Sequence, residues 1–426
     1  MKDKMKQLAD SIKKYCKADD YAFHIVESQD LHTRFAQNGI TQHINGTNLQ
    51  ISLEVSFDNK TGAAEVNQTD EDSLKNLVKT AENLAKLNKP DPEFVSSETA
   101  HDLRNFEKPA ERTLKLSTKE VVDGIEKCIA NAKKKNAKIS GISQKNITSH
   151  YMETKNGFNG YDKTAHFSHS MTMKKGGIET KVERSCRDYS DFSMQNNIEQ
   201  LNSQFDSLQE PQKMDYGRLP VIIRPQAFLT WIYYLSWTFQ RREADEGMNP
   251  YTNKIGKRFF GENFTMRSIV DDPKIQAPRF NFNGIPTKNI DWILNGVIKN
   301  MQTGRYYAKK KKIAPASIFN VVIDGGNSSE EEMLKMVDRG IILNSFWYIR
   351  PVDMKSGEWT GLTRDGVLYF EDGKIKNAVT NFRWNEILHN ATKKIIALGP
   401  SQQIQYNAKV PTVLINDFNF VDVTTF

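Results

Sequence analysis

The pattern of hydrophobic and polar positions divides the chain into an N-terminal part, in which helices and strands alternate, and a C-terminal part dominated by strands. In the N-terminal part, apolar residues recur every three or four positions in three segments, a spacing that predicts amphipathic helices. Between these segments apolar and polar residues alternate, which is typical of half-buried strands. The helical segments begin near Met5, Leu74 and Val121, and the predicted strands cover 21–27, 31–37 and 49–57, with further strands between 139 and 194.

Residues that cap helices and form turns set the boundaries of these elements. Ser117 with Glu120 has the spacing of a capping box, so a helix is predicted to begin after this serine. Either Ser328 with Glu331 or Ser329 with Glu332 has the same spacing, and the helix that begins there is expected to continue to a stop at Gly340. A last helix is expected to begin at Asn385. Tight turns are predicted at Asn38-Gly39, Asn45-Gly46 and Asp372-Gly373, the last of them in a hairpin.

These elements predict an α+β protein of two domains. With 426 residues the chain is too long for a single compact core. We expect an N-terminal α/β domain of mixed helices and short strands over residues 1–210. A β-rich domain over 211–426 should contain a large, mostly antiparallel sheet with a few flanking helices. The boundary is placed within 205–216, just before a buried strand at 217–224 and a long apolar helix at 226–242.

Charge and cysteine content indicate the cellular compartment and the kinds of partner to expect. The formal net charge of +7 is spread along the chain, with short lysine runs at 133–135 and 309–312. Such runs are typical of solvated helix ends, so they argue against a nucleic-acid partner. The three cysteines are far apart and form no CxxC pair, which favours a reducing compartment. Neither a signal peptide nor an apolar stretch of membrane-spanning length is visible. We therefore expect a cytoplasmic protein with no membrane partner.

The residues themselves point to no catalytic centre. The sequence contains no phosphate-binding GxxxxGK[ST] loop, no GxSxG elbow and no GxGxxG after a strand. The only close histidine pair is His166 and His169, in a segment predicted to be a strand. Residues three apart on a strand point to opposite faces, so these two imidazoles cannot share a metal ion.

Five segments in the C-terminal half occur in an order that resembles the TldD/PmbA family, also called modulators of DNA gyrase. The order of helix, strands and helix at the N-terminus also fits that family. The five segments are the helix entry Gly325-Gly326, the run Arg339-Gly340-Ile341, the turn Ser356-Gly357, the hairpin 369–375 and the stretch 410–415.

The resemblance implies a zinc site that this sequence does not carry. Active TldD-type members resemble metallopeptidases with an HExxxH helix directly after the first buried strand of the C-terminal domain. Their third zinc ligand is a cysteine near the C-terminus. Aligned from the strand at 220–223, the first His-Glu pair falls near Tyr233 and Tyr234, and the second histidine falls near Thr238. No cysteine follows Gly399. We therefore assign no catalytic residue, no metal ligand and no cofactor to this chain, and expect zinc only in a partner subunit.

By this resemblance, the chain is expected to be a non-catalytic, TldE/PmbA-like subunit of a TldD-type zinc metallopeptidase. It would form a heterodimer with the zinc subunit, or a homodimer in its absence, and act on unfolded or extended peptides. Two alternatives remain: a self-sufficient peptidase with an unrecognised site, and a binding protein for DNA gyrase or nucleic acid. The residues expected to line the peptide cleft are Gly325, Gly326, Asn327, Ser356 and Gly357.

Overall fold

The computed structural model describes residues 1–208 and 210–424. Its N-terminal part is a six-stranded antiparallel sheet in the order β3-β2-β1-β4-β5-β6. Helices pack on one face of this sheet. The strands are β1 (Asp20–Ala36), β2 (Gly39–Phe57), β3 (Lys60–Val66), β4 (Lys138–Thr154), β5 (Asn159–Lys175) and β6 (Ile178–Cys186). The helices are α1 (Lys2–Tyr15), α2 (Glu71–Leu87), α3 (Glu111–Leu114), α4 (Thr118–Lys134) and α5 (Met194–Asp206), with a 3-10 turn at Tyr189–Asp191.

Local sequence signals locate the N-terminal helices and one of the turns correctly. The Ser117 side chain and Glu120 form both hydrogen bonds of a capping box at the start of α4. Asn38 adopts a left-handed φ of 63° in the turn between β1 and β2. The tight turn predicted at Asn45-Gly46 is wrong, because both residues lie within β2 and pair with β1. The strands at 21–27 and 31–37 are likewise one continuous strand. The polar residues between them keep their pairing with β2 and β4.

The two faces of the N-terminal sheet differ in what covers them. One face packs against α1 and α2 through residues such as Phe23 and Ile25, and against α4 and α5 through residues such as Phe167 and Met171. The opposite face carries polar side chains from β1, β4 and β5, including Asp30, Asn146 and His166. We call this the polar face, and it turns toward the C-terminal part.

The C-terminal part consists of two mixed sheets with short helices between them. One sheet has six strands and the other has seven. The strands are β7 (Arg218–Ile223), β8 (Met266–Ser268), β9 (Ile290–Leu294), β10 (Val297–Ile298), β11 (Val321–Ile323), β12 (Arg339–Asp353), β13 (Glu358–Glu371), β14 (Lys374–Val379), β15 (Phe382–Ile387), β16 (Ile395–Leu398), β17 (Gln402–Gln405), β18 (Ala408–Val410) and β19 (Val413–Val423). The helices are α6 (Pro225–Thr238), α7 (Arg241–Asp245), α8 (Arg305–Lys311), α9 (Glu330–Leu334) and α10 (Leu388–Thr392).

The larger sheet closes on itself. Six of its strands follow the order β12-β7-β19-β15-β13-β14, and the seventh, β16, pairs with β19. Because β12 also pairs with β13, the strands from β12 to β13 form a ring. Most of these pairings are antiparallel, while β7 and β12 are parallel. The main apolar core lies between this ring, α6 and the smaller sheet. The α+β class and the β-rich C-terminal part predicted from the sequence are both confirmed.

Two C-terminal helix predictions are wrong. Ser329 and Glu332 do form the capping box, but α9 ends at Leu334 and Gly340 lies in β12. A side chain at Gly340 would lie 2.6 Å from the carbonyl oxygen of Pro220, so this glycine allows β12 to approach β7. Asn385 lies in β15 and caps no helix, since α10 begins after Ile387 without a side-chain cap. Tertiary pairing overrides the local signal at both places.

The predicted domain boundary at 205–216 lies where α5 leads to β7, and Gln209 within it is outside the described residues. Gln212 then forms a parallel bridge with Val379 of β14. No helix in residues 1–208 or 210–424 is both long enough and apolar enough to cross a membrane.

Candidate functional site

Helix α6 occupies the position that the sequence resemblance assigns to a metal-binding helix. It follows β7 directly, and Pro225 at its first turn suits a helix start because proline has no N–H to leave unpaired. Phe228, Trp231 and Leu235 are buried in the main core. Two aromatic residues of the same helix point outward instead: Tyr233 is 37% exposed and Trp237 is 64% exposed.

Tyr233 contacts the C-terminal hairpin formed by β17 and β18. Its hydroxyl donates a hydrogen bond of 2.7 Å to Oε1 of Gln405, near the end of β17. Gln405 lies in the stretch after Gly399, where the resemblance implies the cysteine ligand of active members. The two regions that the resemblance implies as sources of zinc ligands, α6 and the stretch after Gly399, are therefore in contact. The groups in contact are the phenol of Tyr233 and the carboxamide of Gln405.

Thr238, near the position implied for the second histidine, also offers no metal ligand. Thr238 is 2% exposed, and its hydroxyl donates to the carbonyl of Leu235 in its own helix at 3.0 Å. Tyr234 packs its ring against Trp359 at a centroid distance of 5.0 Å. Burial and the neighbouring Tyr406 and Glu183 raise the pKa of the Tyr233 phenol, so it stays protonated at neutral pH. This donor set does not fit zinc, which takes imidazole, thiolate or carboxylate ligands.

Two of the acidic residues after α6, Asp245 and Glu246, are held in ion pairs. Asp245 lies 3.0 Å from both Arg241 and Lys311, and it also accepts a hydrogen bond from Tyr307. Glu246 pairs with Arg242 at 3.0 Å. Among the described residues, no three His, Cys, Asp or Glu side chains lie close enough together to hold a metal ion.

The β17–β18 hairpin is fixed against the polar face of the N-terminal sheet. Tyr406 stacks on His166 with ring centroids 3.8 Å apart, and its backbone N–H donates to Oγ of Ser185 at 2.8 Å. Burial lowers the pKa of His166 to about 4, so the imidazole is neutral at pH 7. His169, three residues further, stacks on Phe35 on the opposite face, as the strand periodicity predicts.

A polar cleft opens beside the start of α6, between β6 of the N-terminal sheet and the C-terminal ring. Its volume is about 300 Å³. Arg224 forms its base, with two hydrogen bonds to the Glu330 carboxylate at 2.9 and 2.6 Å and one to Oδ1 of Asn344 at 2.6 Å. Gln226 also lines this cleft. Its Oε1 atom is buried and accepts no hydrogen bond within the described residues.

The glycine-rich segment predicted to line the peptide cleft packs on another loop. The N–H of Gly326 donates to the carbonyl of Gly399 at 2.8 Å, and Ser328 donates to Leu398 at 3.2 Å. A Cβ on Gly325 would lie 2.4 Å from the backbone nitrogen of Ser401. These glycines are therefore explained by close backbone approach, and Asn327 is exposed beside them.

The second predicted cleft segment lies in the turn between β12 and β13. Gly357 has a left-handed φ of 75° and is buried against Pro250 and His389. Ser356 contacts Asp353 within the turn, where its N–H donates to Oδ2 at 3.2 Å. The two segments thus have different neighbours, and their role in peptide binding stays a prediction.

Gln405, Tyr406 and His166 are parts of this region that the sequence did not predict. Nothing in their local sequence marks them, because their positions depend on a contact between residues far apart in the chain. The alignment did identify Tyr233, but it could not show which side chain Tyr233 would meet.

Comparison with known proteins agrees with this architecture. Residues 216–422 match the family described as the PmbA/TldA metallopeptidase C-terminal domain. No curated protein sequence is detectably similar to the chain.

Solved structures extend the likeness over nearly the whole chain. The crystal structure of TldE from Thermococcus kodakarensis superposes with a TM-score of 0.87 at 19% identity, covering 98% of this chain and 99% of that one. A proposed modulator of a DNA gyrase from Thermotoga maritima gives 0.85 at 17% identity, covering 98% and 100%. A similar protein from Bacteroides thetaiotaomicron gives 0.84 at 15% identity, with 98% of each chain covered. At these identities the superpositions establish the fold. The family match identifies residues 216–422 as a C-terminal domain of the TldD/PmbA family, and the superpositions show that the chain as a whole has the fold of these proteins.

Proposed function

We propose that this chain is a non-catalytic, TldE-like subunit of a TldD-type zinc metallopeptidase that cleaves unfolded or extended peptides in the cytoplasm. The observation that carries the proposal is the hydrogen bond between Tyr233 and Gln405. It occupies the place where α6 and the C-terminal hairpin would hold zinc in an active member. Because a phenol and a carboxamide meet there, the hydrolytic centre must come from a partner that retains the ligands.

The exposed apolar surface beside α6 supports a protein partner. Trp237 contacts Trp359, which pairs with Pro351 in the β12–β13 hairpin. The same hairpin exposes Tyr348 at 59%, Val352 at 50% and Met354 at 38%. Clustered exposed apolar side chains of this size are characteristic of interaction sites. We call the set of Trp237, Tyr348, Val352 and Met354 the apolar patch, and assign the zinc-bearing subunit to it.

A strand-rich cleft also suits the proposed substrate. Extended peptides bind proteins by adding a strand to a sheet edge, where main-chain hydrogen bonds give affinity without requiring one sequence. This chain would form part of the chamber wall and hold the peptide, while the partner's zinc-bound water performs the hydrolysis. Gly325, Gly326, Asn327, Ser356 and Gly357 remain the proposed contacts.

Co-expression with a TldD-type zinc peptidase of the same organism tests this function. The two chains should co-elute in size-exclusion chromatography, and the pair should cleave an unfolded protein such as casein. Neither activity nor stoichiometric zinc should be found in this chain alone. Hydrolysis by the isolated chain with added zinc would instead establish the self-sufficient peptidase. Salt-sensitive DNA binding without a peptidase partner would favour the nucleic-acid alternative.

Matched surface variants locate the contact. Val352→Asp places a charge in the apolar patch and should abolish co-elution and activity of the pair. Leu87→Asp places the same charge at a residue that is 83% exposed at the end of α2, and should change neither. If the two variants gave the same co-elution and activity, the apolar patch would not be the contact surface. Whether the two subunits pair at all would then be decided by the co-expression experiment.

A further inference from the structure

A second, larger cleft lies between the domains, away from α6, on the side where β13 meets the turn between β5 and β6. Its volume is about 650 Å³, within the usual size of small-molecule sites. Side chains from both domains line it, including Glu179 from β6 and Trp347, Arg364 and Asp365 from the C-terminal ring. We call it the acid–arginine cleft.

An irregularity in the pairing of β12 with β13 places Asp365 in this cleft. Leu343 pairs with Val367 and Ser345 pairs with Arg364, so Asp365 and Gly366 together face the single residue Asn344. This arrangement is a β-bulge, a feature that redirects side chains and is common beside binding sites. Asp365 adopts a left-handed φ of 61°, which is strained for a residue with a side chain.

Specific hydrogen bonds hold the bulge in this shape. The amide of Asn344 donates to the carbonyl of Asp365 at 3.0 Å, and the hydroxyl of Ser345 donates to Oδ2 of Asp365 at 2.6 Å. The Asp365 carboxyl is therefore held in place and buried at the wall of the cleft.

Charged groups of both signs converge around this carboxyl. Nε of Arg364 lies 3.9 Å from Oδ1 of Asp365 and 4.0 Å from Oε1 of Glu179. Lys174 approaches Glu179 to 3.3 Å, and Lys181 is the other nearby cation. Burial raises the pKa of Asp365, and a hydrogen bond with Glu179 raises it further, while Ser345 and Lys181 act in the opposite direction.

The remaining walls are aromatic and aliphatic. The guanidinium of Arg364 stacks over the Trp347 ring at 4.2 Å, which fixes its direction. Ile178, Leu208 and Val367 add apolar surface. Thr380 lines the same cleft, and its buried hydroxyl makes no hydrogen bond within residues 1–208 and 210–424.

We propose that the acid–arginine cleft binds a free α-amino acid with a large apolar side chain. The ammonium group would contact Asp365 and Glu179, and the carboxylate would contact Arg364. The ammonium and the carboxylate of an α-amino acid are bonded to the same carbon. This short spacing matches the 3.9–4.0 Å that separates Nε of Arg364 from the carboxylate oxygens of Asp365 and Glu179. The side chain would lie against Trp347 and the aliphatic wall. A zwitterion suits these walls because they present both a cation and carboxyls, so each charged group of the ligand meets a group of opposite sign.

Isothermal titration of the full chain with L-phenylalanine at pH 7 tests the proposal. We expect saturable binding to one site, with at least tenfold weaker binding of phenylalaninamide, which lacks the carboxylate, and of N-acetylphenylalanine, which lacks the ammonium.

Variants separate the charged contacts from general packing. Asp365→Asn keeps a residue that tolerates the left-handed backbone, and Arg364→Gln removes the cation; each should weaken phenylalanine binding at least tenfold. Glu179→Gln, on the other domain, gives a third measurement if either of the first two fails to fold. Asp372→Asn, in the exposed hairpin turn, should leave binding unchanged. Absence of saturable binding or equal affinity for the three ligands would overturn the proposal.

Discussion

The hydroxyl of Tyr233 donates a hydrogen bond to Oε1 of Gln405 across 2.7 Å, joining α6 to β17. The two residues are distant in sequence: Tyr233 lies near the first His-Glu position that the family resemblance implies, and Gln405 lies in the stretch after Gly399 where it implies the cysteine ligand. In our proposal, this hydrogen bond connects two elements that a metal ion connects in active relatives. The contribution of this hydrogen bond to the stability of the protein can be measured.

A double-mutant cycle measures the strength of that connection. Tyr233→Phe and Gln405→Leu each remove one partner and keep most of the side-chain volume. We expect a coupling free energy of about 0.5–1.5 kcal/mol from urea unfolding of the two single variants and the double variant. Tyr216→Phe, at a tyrosine that is 55% exposed, serves as the control and should leave stability unchanged. A coupling of zero would mean that the contact does not join α6 to the hairpin in solution.

His169 should make the stability of the fold sensitive to acid. Complete burial lowers its pKa from 6.5 to about 4. Between these two pH values, His169 is protonated in the unfolded chain but remains neutral in the folded chain. Stability is therefore complete above pH 6.5 and falls as the pH drops toward 4. Between pH 7 and 5 the His169→Gln variant should lose about 2 kcal/mol less unfolding free energy than the unmodified chain.

Chemical unfolding at both pH values provides the measurement for His169. The ring contacts Phe35 and Phe192 and bonds to Ser143 at 2.7 Å, so the variant should be less stable at pH 7 as well. The informative quantity is the difference between the two pH values. The same substitution at the more exposed His101 is the control, and an unchanged pH dependence in His169→Gln would contradict the prediction.

Gly326→Ala should destabilise the C-terminal domain through a backbone clash. The added methyl group would lie 2.5 Å from the carbonyl oxygen of Leu398, so the two loops would have to separate. We expect a loss of about 1–3 kcal/mol in thermal or urea unfolding. Gly46→Ala is the matched control, because no atom lies within 4 Å of its added methyl group. If both variants were equally stable, the loop at 324–328 would be free to move away from 398–401.

Arg224→Met should destabilise the junction between α6, α9 and β12. The guanidinium makes two hydrogen bonds to Glu330 and one to Asn344, which is 7% exposed and would lose its donor. We expect a loss of about 1–3 kcal/mol in unfolding free energy. Arg218→Met removes an exposed arginine that contacts Asp417 at 3.4 Å, and should cost less than about 0.5 kcal/mol. A smaller effect at Arg224 than at Arg218 would contradict this ranking.

The features that the sequence predicts well are those decided by neighbouring residues. Ser117 and Glu120 are three positions apart, and their capping box forms as expected. Asp372 and Gly373 both adopt left-handed φ angles, 50° and 71°, in the hairpin that their dipeptide predicts. In these cases the side chains and backbone groups that interact lie within one turn of chain.

Predictions failed where distant segments decide the conformation. Gly340 looks like a helix stop, yet it is needed where β12 passes close to Pro220. Asn385 looks like a helix cap, yet it pairs with Thr360 in the closed ring. The bulge at Asp365 likewise depends on the register of β12 against β13, which no local pattern encodes. The acid–arginine cleft was therefore invisible from the sequence.

The ring of strands in the C-terminal domain places β19 between β7 and β15. Strand β7 begins at Arg218, whereas β19 covers Val413–Val423. On the ribosome, β7 therefore emerges long before the strand that completes its hydrogen bonding. Until β19 is synthesised the ring stays open and part of its apolar interior is uncovered, so we expect a truncation that removes β19 to be far more damaging than the loss of α1.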